Sequence, residues 1–355
     1  MQDCKLNDKK ISGVLEITSS HPWHVKVIRR SIQSLFSLYL IYLIYAGYKF
    51  HQYYLWLSGR SEVYVQKMPS IEAFLPIGAL TSLKRLALTG RYDTIHPAGL
   101  TIFIAVIATA FLFRKGVCGW ICPVGFASNL LEALGKRLNL AFCPPAWSSI
   151  TLSSIKYLIL AFFLYVILLR MDLNAIDVFI NSPYNRLVDA RMLLFFLSPS
   201  HLTMAVLAGL IVLSILVRNP WCRFLCPYGA LLGIIARFSP VHIARDQALC
   251  INCKKCAQVC PTCIKVYEEE AVRTPECQGC MECVGVCPAK GCLALVTVTG
   301  KRLSPFVIAA MTVATILAAW ALAEATGHWY STLQPDELKN LFLLTDGHVV
   351  HPSIH

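Results

Sequence analysis

Charge is scarce in this chain. Asp, Glu, Lys and Arg make up 15% of its 355 residues, where a soluble domain carries about 25%, and the mean hydropathy is +0.57. That shortage argues against an ordinary soluble enzyme and points to a membrane protein. A G-x-G-x-x-G nucleotide fingerprint and a flavin-site motif are also missing, so nicotinamide chemistry would have to come from another subunit. No C-x-x-C-H run is present, which removes the signature of attached haem. Acidic residues are the scarcer sign, 20 against 32 basic, giving a net charge of +12.

Five apolar runs approach the roughly 17–25 residues that cross a bilayer core: 31–50, 97–113, 154–169, 202–217 and 303–323. Lys156, inside the third, is accommodated if it snorkels. The first run follows a polar segment and has no small-residue cleavage site behind it, so it reads as a retained helix. With the amino terminus inside, Lys5, Lys9, Lys10, Lys26, Arg29, Arg30, Arg114, Lys115, Lys136, Arg137 and the stretch 218–302 share one side. This positive-inside bias predicts a multi-pass protein of the bacterial inner (cytoplasmic) membrane, with 218–302 in the cytoplasm. The basic excess is then topology, and no nucleic-acid partner is expected. Residues 68–90 are apolar but broken by Glu72, Pro76, Gly78, Lys84 and Arg85, and read as a re-entrant or interfacial hairpin.

The cysteines carry the chemistry. Residues 250–261, CINCKKCAQVCP, and 277–288, CQGCMECVGVCP, each follow C-x2-C-x2-C-x3-C-P, the run that binds cubane iron–sulfur clusters in bacterial ferredoxins. Two-residue steps let three thiolates converge, and the fourth cysteine serves the other cluster. One [4Fe-4S] cluster is therefore expected on Cys250, Cys253, Cys256 and Cys287, and a second on Cys277, Cys280, Cys283 and Cys260. Zinc is the competing metal, but a doubled four-cysteine run with both prolines favours clusters. Cys263 and Cys292 read as buried packing; Cys4 and Cys143 have no partner pattern. Sixteen cysteines in these spacings do not suggest a disulfide framework.

A second cysteine pattern repeats. FRKGVCGWICPVG aligns with VRNPWCRFLCPYG, matching Cys118 to Cys222, Cys122 to Cys226 and Arg114 to Arg218 across 104 residues. Each copy follows an apolar run, which predicts a twofold membrane repeat with both pairs on the ferredoxin side. Three readings fit the x3 spacing, which puts both sulfurs on one face of a helix. They are a third metal or cluster site, a redox-active dithiol near a quinone, and a structural helix end. Two CxxxCP motifs followed by two ferredoxin motifs resemble the membrane polyferredoxin family of NapH, NosR and CcoG type, and most closely its NapH-like quinol dehydrogenase membrane components. The resemblance covers roughly residues 31–298. It implies inner-membrane electron transfer between the quinone pool and redox protein subunits. The chain is then a relay subunit of a quinol dehydrogenase or larger respiratory complex. Its CcoG-like alternative is a metal- or thiol-reducing maturation factor; a redox-sensing membrane protein is a third class.

The expected architecture is an α-helical polytopic membrane protein of about five transmembrane helices plus the re-entrant segment, with an inserted 2[4Fe-4S] ferredoxin α+β domain. Its parts are a cytoplasmic segment 1–30, a membrane domain 31–240, a ferredoxin domain 241–300, a last helix 301–325 and a periplasmic tail 326–355. For quinone chemistry, Glu72 and His96 are the candidate proton-handling residues, because an ionisable group at membrane depth is a functional candidate by default. His51, His96 and His201 fall at outer helix ends, where haem ligation competes with a plain interfacial role. Asp172, Asp177 and Asp189 fall in an outer loop, and His348, His351 and His355 in the tail. Two cubanes on one side cannot carry electrons through the membrane. Quinol therefore reacts near the cysteine pairs, or a further cofactor or partner completes the path, and the first is the expectation.

Overall fold

The structure, a computed structural model, describes Tyr42 and residues 45–345. The segment 1–30, most of the first apolar run and the tail histidines lie outside the described residues. Prolines start many of the helices, since a ring-locked φ and a missing N–H cost nothing in a first turn. Helix α1 (45–57) is followed by the 3-10 turn Pro69–Phe74, α2 (Pro76–Thr89), α3 (Pro97–Phe113), α4 (Gly116–Trp120) and α5 (Pro123–Arg137). Next come α6 (Ala146–Leu164), extended by the π-helical turn Tyr165–Arg170, then α7 (Leu173–Asn181), α8 (Pro183–Arg186), α9 (Val188–Leu197) and α10 (His201–Leu216). A second π turn, Trp221–Leu225, leads into α11 (Pro227–Ala236).

Among the described residues two helices are long and apolar enough to cross a membrane: 147–170, formed by α6 and its π turn, and α14 (Val307–Ala325). The pair α9 and α10, bent by 76°, makes a third if counted as one span. α3 has 17 residues, about 25 Å at 1.5 Å per residue, and α11 only 10. Of the five crossings expected from hydropathy, the first lies mostly outside the described residues, and two or three spans meet the length and apolarity of a crossing among the described ones. Apolar runs there also end in bends and short helices, at Arg114 and around Ser198. Outward-facing Leu158, Phe162, Leu202, Val212, Leu317 and Trp320 give the spans an apolar exterior. The 68–90 segment does fold back, as the 3-10 turn and α2 packed on α3. Lys84 of α2 caps the end of the long α6 span, donating to the carbonyls of Ile167 and Leu168 at 3.0 Å each.

The internal repeat is embodied as an exchange. α5, after the first CxxxCP, packs on α10, before the second; α11, after the second, packs on α3, before the first. Each half therefore completes the other, and Phe103 of α3 stacks on Tyr228 of α11 at 5.7 Å.

The segment after α11 forms a small α+β unit. Strand β1 (Val241–Arg245) is central, flanked by β2 (Ala271–Val272) and β3 (Leu293–Thr297), with β4 (Arg302–Leu303) outside β3; all pairings are antiparallel. Two one-turn helices, α12 (Lys255–Val259) and α13 (Glu282–Val286), lie against each other. The core of this unit, around Ile243, Val272, Met281 and Leu295, continues into the membrane half through Trp120 and Ile308. The tail helix α15 (Pro335–Thr345) is docked rather than free: Leu338 and Phe342 are buried among Tyr53, Trp56 and Leu187.

Several hydrogen bonds clamp the α+β unit onto the repeat. Arg114 Nη2 donates to Thr274 O at 2.8 Å, and its repeat counterpart Arg218 donates through Nη1 to Gln258 O at 2.7 Å. Trp120 Nε1 donates to Gly279 O at 3.0 Å. Lys156, buried rather than snorkelling, reaches both carboxylate oxygens of Glu276 at 2.7 Å. One disulfide joins Cys143, between α5 and α6, to Cys263. It corrects the packing role expected for Cys263 and partners Cys143; a cross-link 120 residues apart carries no local sequence signature.

A side chain at Gly119 would place its Cβ 2.6 Å from the Gln278 carbonyl oxygen. Gly119→Ala is therefore expected to push the 277–280 loop off the repeat and cost about 1–3 kcal/mol. Thermal unfolding in detergent, with limited proteolysis of the α+β unit, measures this; an unchanged profile would mean the contact is not a constraint.

Candidate cluster-binding site

The two predicted cysteine sets each surround one hollow. Cys250, Cys253, Cys256 and Cys287 line one hollow, and Cys277, Cys280, Cys283 and Cys260 line another. The backbone explains the convergence. In both loops the second and fourth residues after the first cysteine are left-handed: Asn252 (φ 52°) and Lys254 (58°), then Gly279 (64°) and Met281 (59°). Two such residues per loop wind the chain round its thiols, at a conformational cost for Asn, Lys and Met that glycine escapes. Ile264 N–H donates to Cys260 Sγ at 3.3 Å. Burial pushes the Cys260 thiol up to about 11, whereas the Asn252 N–H leads the lowering of Cys250.

These residues fit a cluster. Each hollow brings together the four cysteines of one predicted set, the donor set of a cubane. Arg114 is fully buried beside the 277–280 loop, and its Nε and Nη1 have no partner among the described residues. Among the described residues no three His, Cys, Asp or Glu side chains stand close enough to share a single metal ion. Cys292, outside the predicted sets, also lines the first hollow. The two hollows differ in position. The Cys277 set sits against the repeat, and the Cys250 set lies toward solvent with Cys253 exposed.

The CxxxCP cysteines converge. Cys118, Cys122, Cys222 and Cys226 are close enough to bias one another's ionisation, and burial pushes Cys118 up to about 12. Cys226 Sγ accepts the Gly229 N–H at 3.2 Å and so caps α11. At the position after the first cysteine the copies diverge, with Gly119 in one and Arg223 in the other. Gly119 admits Gln278, and Arg223 donates to Cys263 Sγ at 3.5 Å.

Glu72 and His96 meet at the opposite end of α3. His96 Nδ1 lies 3.3 Å and Lys67 Nζ 3.1 Å from Glu72 Oε1, while Gly99 N–H donates to Glu72 Oε2 at 3.0 Å. Lys67 also bonds Asp189 at 2.5 Å, and His96 Nε2 meets Asn185 O at 2.7 Å. Burial alone would raise the Glu72 carboxyl; the Lys67 ammonium, His96 and the Gly99 N–H outweigh it and hold it down at about 2. Burial opposes charge on His96, and Glu72 overcomes it, raising the imidazole. Beside this network is a cavity of about 350 Å³ with walls of Phe74, Leu75, Ile77, Phe163 and Phe179, and polar Asp93, His96 and Asn185. Its size and apolar lining are those of a small-molecule pocket. Sequence reasoning missed Lys67 and Asp93 entirely and placed Asp189 in an outer loop; the Lys67–Asp189 contact joins segments 122 residues apart, and Asp93 carries no motif. Trp120 was the one legible omission, since it matches Phe224 in the repeat. His51 is half-buried on α1 and His201 exposed at the start of α10, neither with Glu72.

The stability contributed by ionised Glu72 is present above the ordinary carboxyl value near 4.5 and is lost as pH falls toward about 2. The contribution of protonated His96 is present below its ordinary value and is lost as pH rises through its raised one. Glu72→Gln is expected to destabilise by about 3 kcal/mol at neutral pH and to flatten the acid limb of melting temperature against pH. An acid limb unchanged from the parent would remove Glu72 from it.

The family model described as "4Fe-4S binding domain" matches residues 95–140 and 200–245, one copy on each CxxxCP, and the "4Fe-4S dicluster domain" matches 242–288. The chain is 42% identical over 234 residues to the putative electron transport protein YccM of Escherichia coli K12, covering 66% of this chain and 65% of that one. It is 32% identical to the uncharacterized protein MJ0749 of Methanocaldococcus jannaschii over 57% of this chain and 72% of that one. It is 27% identical to the ferredoxin-type protein NapH of Haemophilus influenzae over 55% and 68%. No solved structure matches. Matching 4Fe-4S models over both cysteine patterns, together with these relatives, establish that the chain belongs to the membrane polyferredoxin family with CxxxCP motifs, an iron–sulfur electron-transfer family.

Proposed function

We propose that the chain is a membrane-bound relay passing electrons between the quinone pool and a redox partner through two [4Fe-4S] clusters. The observation that carries this reading is the sorting of eight cysteines into two four-thiol hollows, one clamped on the repeat and one facing solvent. Cys277, Cys280, Cys283 and Cys260 would hold the proximal cluster, and Cys250, Cys253, Cys256 and Cys287 the distal one. Each cluster supplies one-electron transfer when bound. Burial by Ile243, Val266 and Val272 keeps water from the proximal thiols, while exposed Cys253, Lys254 and Lys255 form the face toward a partner. Cys118, Cys122, Cys222 and Cys226 fit a third cluster site best, because the matching 4Fe-4S model covers both copies. The α+β unit lies in the cytoplasm, following the distribution of basic residues.

The cavity beside His96 suits a quinone ring, with apolar walls for the ring and polar groups for its oxygens. The length of α3, about 25 Å, separates it from the CxxxCP end. A quinone bound there needs a further carrier, supplied by a partner subunit, to reach the clusters. Reaction at the cysteine pairs, the expectation from sequence, would need none. A photoreactive quinone analogue mapped by mass spectrometry is expected to label residues 74–99 and 179–188, with labelling lost in His96→Phe. Label on 118–126 or 222–229 would move the reaction to the cysteine pairs.

Total iron and low-temperature EPR test the relay itself. About twelve iron atoms per chain are expected with a third cubane and about eight without it. Quinol should produce reduced-cubane signals in membranes that contain the partner. If dithionite reduces the clusters and quinol does not under any condition, metal or thiol reduction replaces the quinone reading.

A further inference from the structure

The Cys143–Cys263 disulfide stands where a structural cross-link is least expected. Disulfides in a reducing compartment are usually catalytic or redox-sensing, and this one sits on the cluster side of the molecule. Its surroundings are specific. Cys263 N–H donates to Cys260 O at 3.1 Å, closing a turn that keeps it next to a cysteine of the proximal hollow. Arg223, inside the second CxxxCP, directs Nη1 to Cys263 Sγ at 3.5 Å and Nη2 to Ser149 Oγ at 2.6 Å. Arg223 is buried, so its charge is poorly screened, whereas Cys143 is exposed. Cys143 is thus the exposed residue of the pair, and Cys263 the one held between Arg223 and the backbone of Cys260.

We propose that Cys143 and Cys263 form a redox-active cystine that couples one-electron cluster chemistry to reduction of a solvent-borne disulfide. This rests on the reading that Cys277, Cys280, Cys283 and Cys260 hold a cluster. Reduction breaks the Cys143–Cys263 sulfur–sulfur bond. It takes up two electrons, delivered singly from the reduced proximal centre, which is refilled from the distal one, and two protons from solvent. Cys143 then attacks one sulfur of the external disulfide, giving a mixed disulfide and releasing one thiol. Cys263 attacks Cys143 Sγ, releases the second thiol and restores the cystine. The net change is one external disulfide, two electrons and two protons converted to two thiols. In the exchange exposed Cys143 is the attacking sulfur and Cys263 the resolving one. Arg223 Nη1, 3.5 Å from Cys263 Sγ, holds positive charge beside the sulfur that must attack the mixed disulfide as thiolate.

The test uses the whole chain in detergent, photoreduced anaerobically by a one-electron donor. It is acid-quenched with an alkylating agent and analysed by mass spectrometry beside EPR. The oxidised protein is expected to yield a linked 143–263 peptide, and the reduced protein both cysteines alkylated. Reductive titration should take two more electrons per chain than Cys143→Ser, whose cubane signals remain. With 5,5′-dithiobis(2-nitrobenzoate) as the external disulfide, Arg223→Gln should release thiol about tenfold more slowly. A reduced cubane beside an intact 143–263 link overturns the proposal alone, as do free thiols at both positions in the oxidised protein. Absence of any cubane signal overturns the cluster reading, and the proposal with it.

Discussion

Two buried or half-buried arginines at equivalent places in an internal repeat organise the junction on which the rest depends. Arg114 and Arg218 each leave the end of an apolar helix and donate to a carbonyl a few residues before a cysteine of the proximal hollow. A guanidinium withdrawn from water is costly unless its donors are used. Arg114 meets that demand in part through Thr274, with Nε and Nη1 left unpartnered among the described residues. The two arginines thereby fix where the α+β unit sits on the repeat.

The exchange of helices between the halves makes the junction stiff. Because α5 packs on α10 and α11 on α3, neither CxxxCP pair can shift without disturbing the other half. Divergence within the repeat then gives each copy a separate task. A glycine in the first admits the 277–280 loop to contact, and an arginine in the second reaches the disulfide. Symmetry supplies the scaffold, and departures from it give each copy its own contact with the α+β unit.

The far end of α3 obeys a different constraint. Glu72, Lys67, His96 and Asp189 are buried together, and removing any one leaves an uncompensated charge. The same network fixes the wall of the adjoining cavity by holding His96 through Asn185 O and Glu72. The geometry therefore separates two functions along one helix, a polar pocket at its start and a sulfur-rich junction at its end.

The cysteine spacings determined the two four-thiol sets from sequence alone, because short loops of fixed length leave a cluster few geometries and the cross-over of Cys260 and Cys287 follows from the doubled run. The repeat and its pairing of Arg114 with Arg218 were also legible, as local identity at fixed offset. Glu72 and His96 were legible only as ionisable groups in apolar company. Their meeting with Lys67 and Asp189 was not, since Asp189 reaches Lys67 from 122 residues away. The bend between α9 and α10 was not legible, because hydropathy counts apolar residues but does not see where the backbone turns. The Cys143–Cys263 bond, the cavity beside His96 and the choice of which cluster set faces the repeat belong to tertiary structure. They depend on distances between distant segments, which a sequence pattern of period two, three or four residues does not encode.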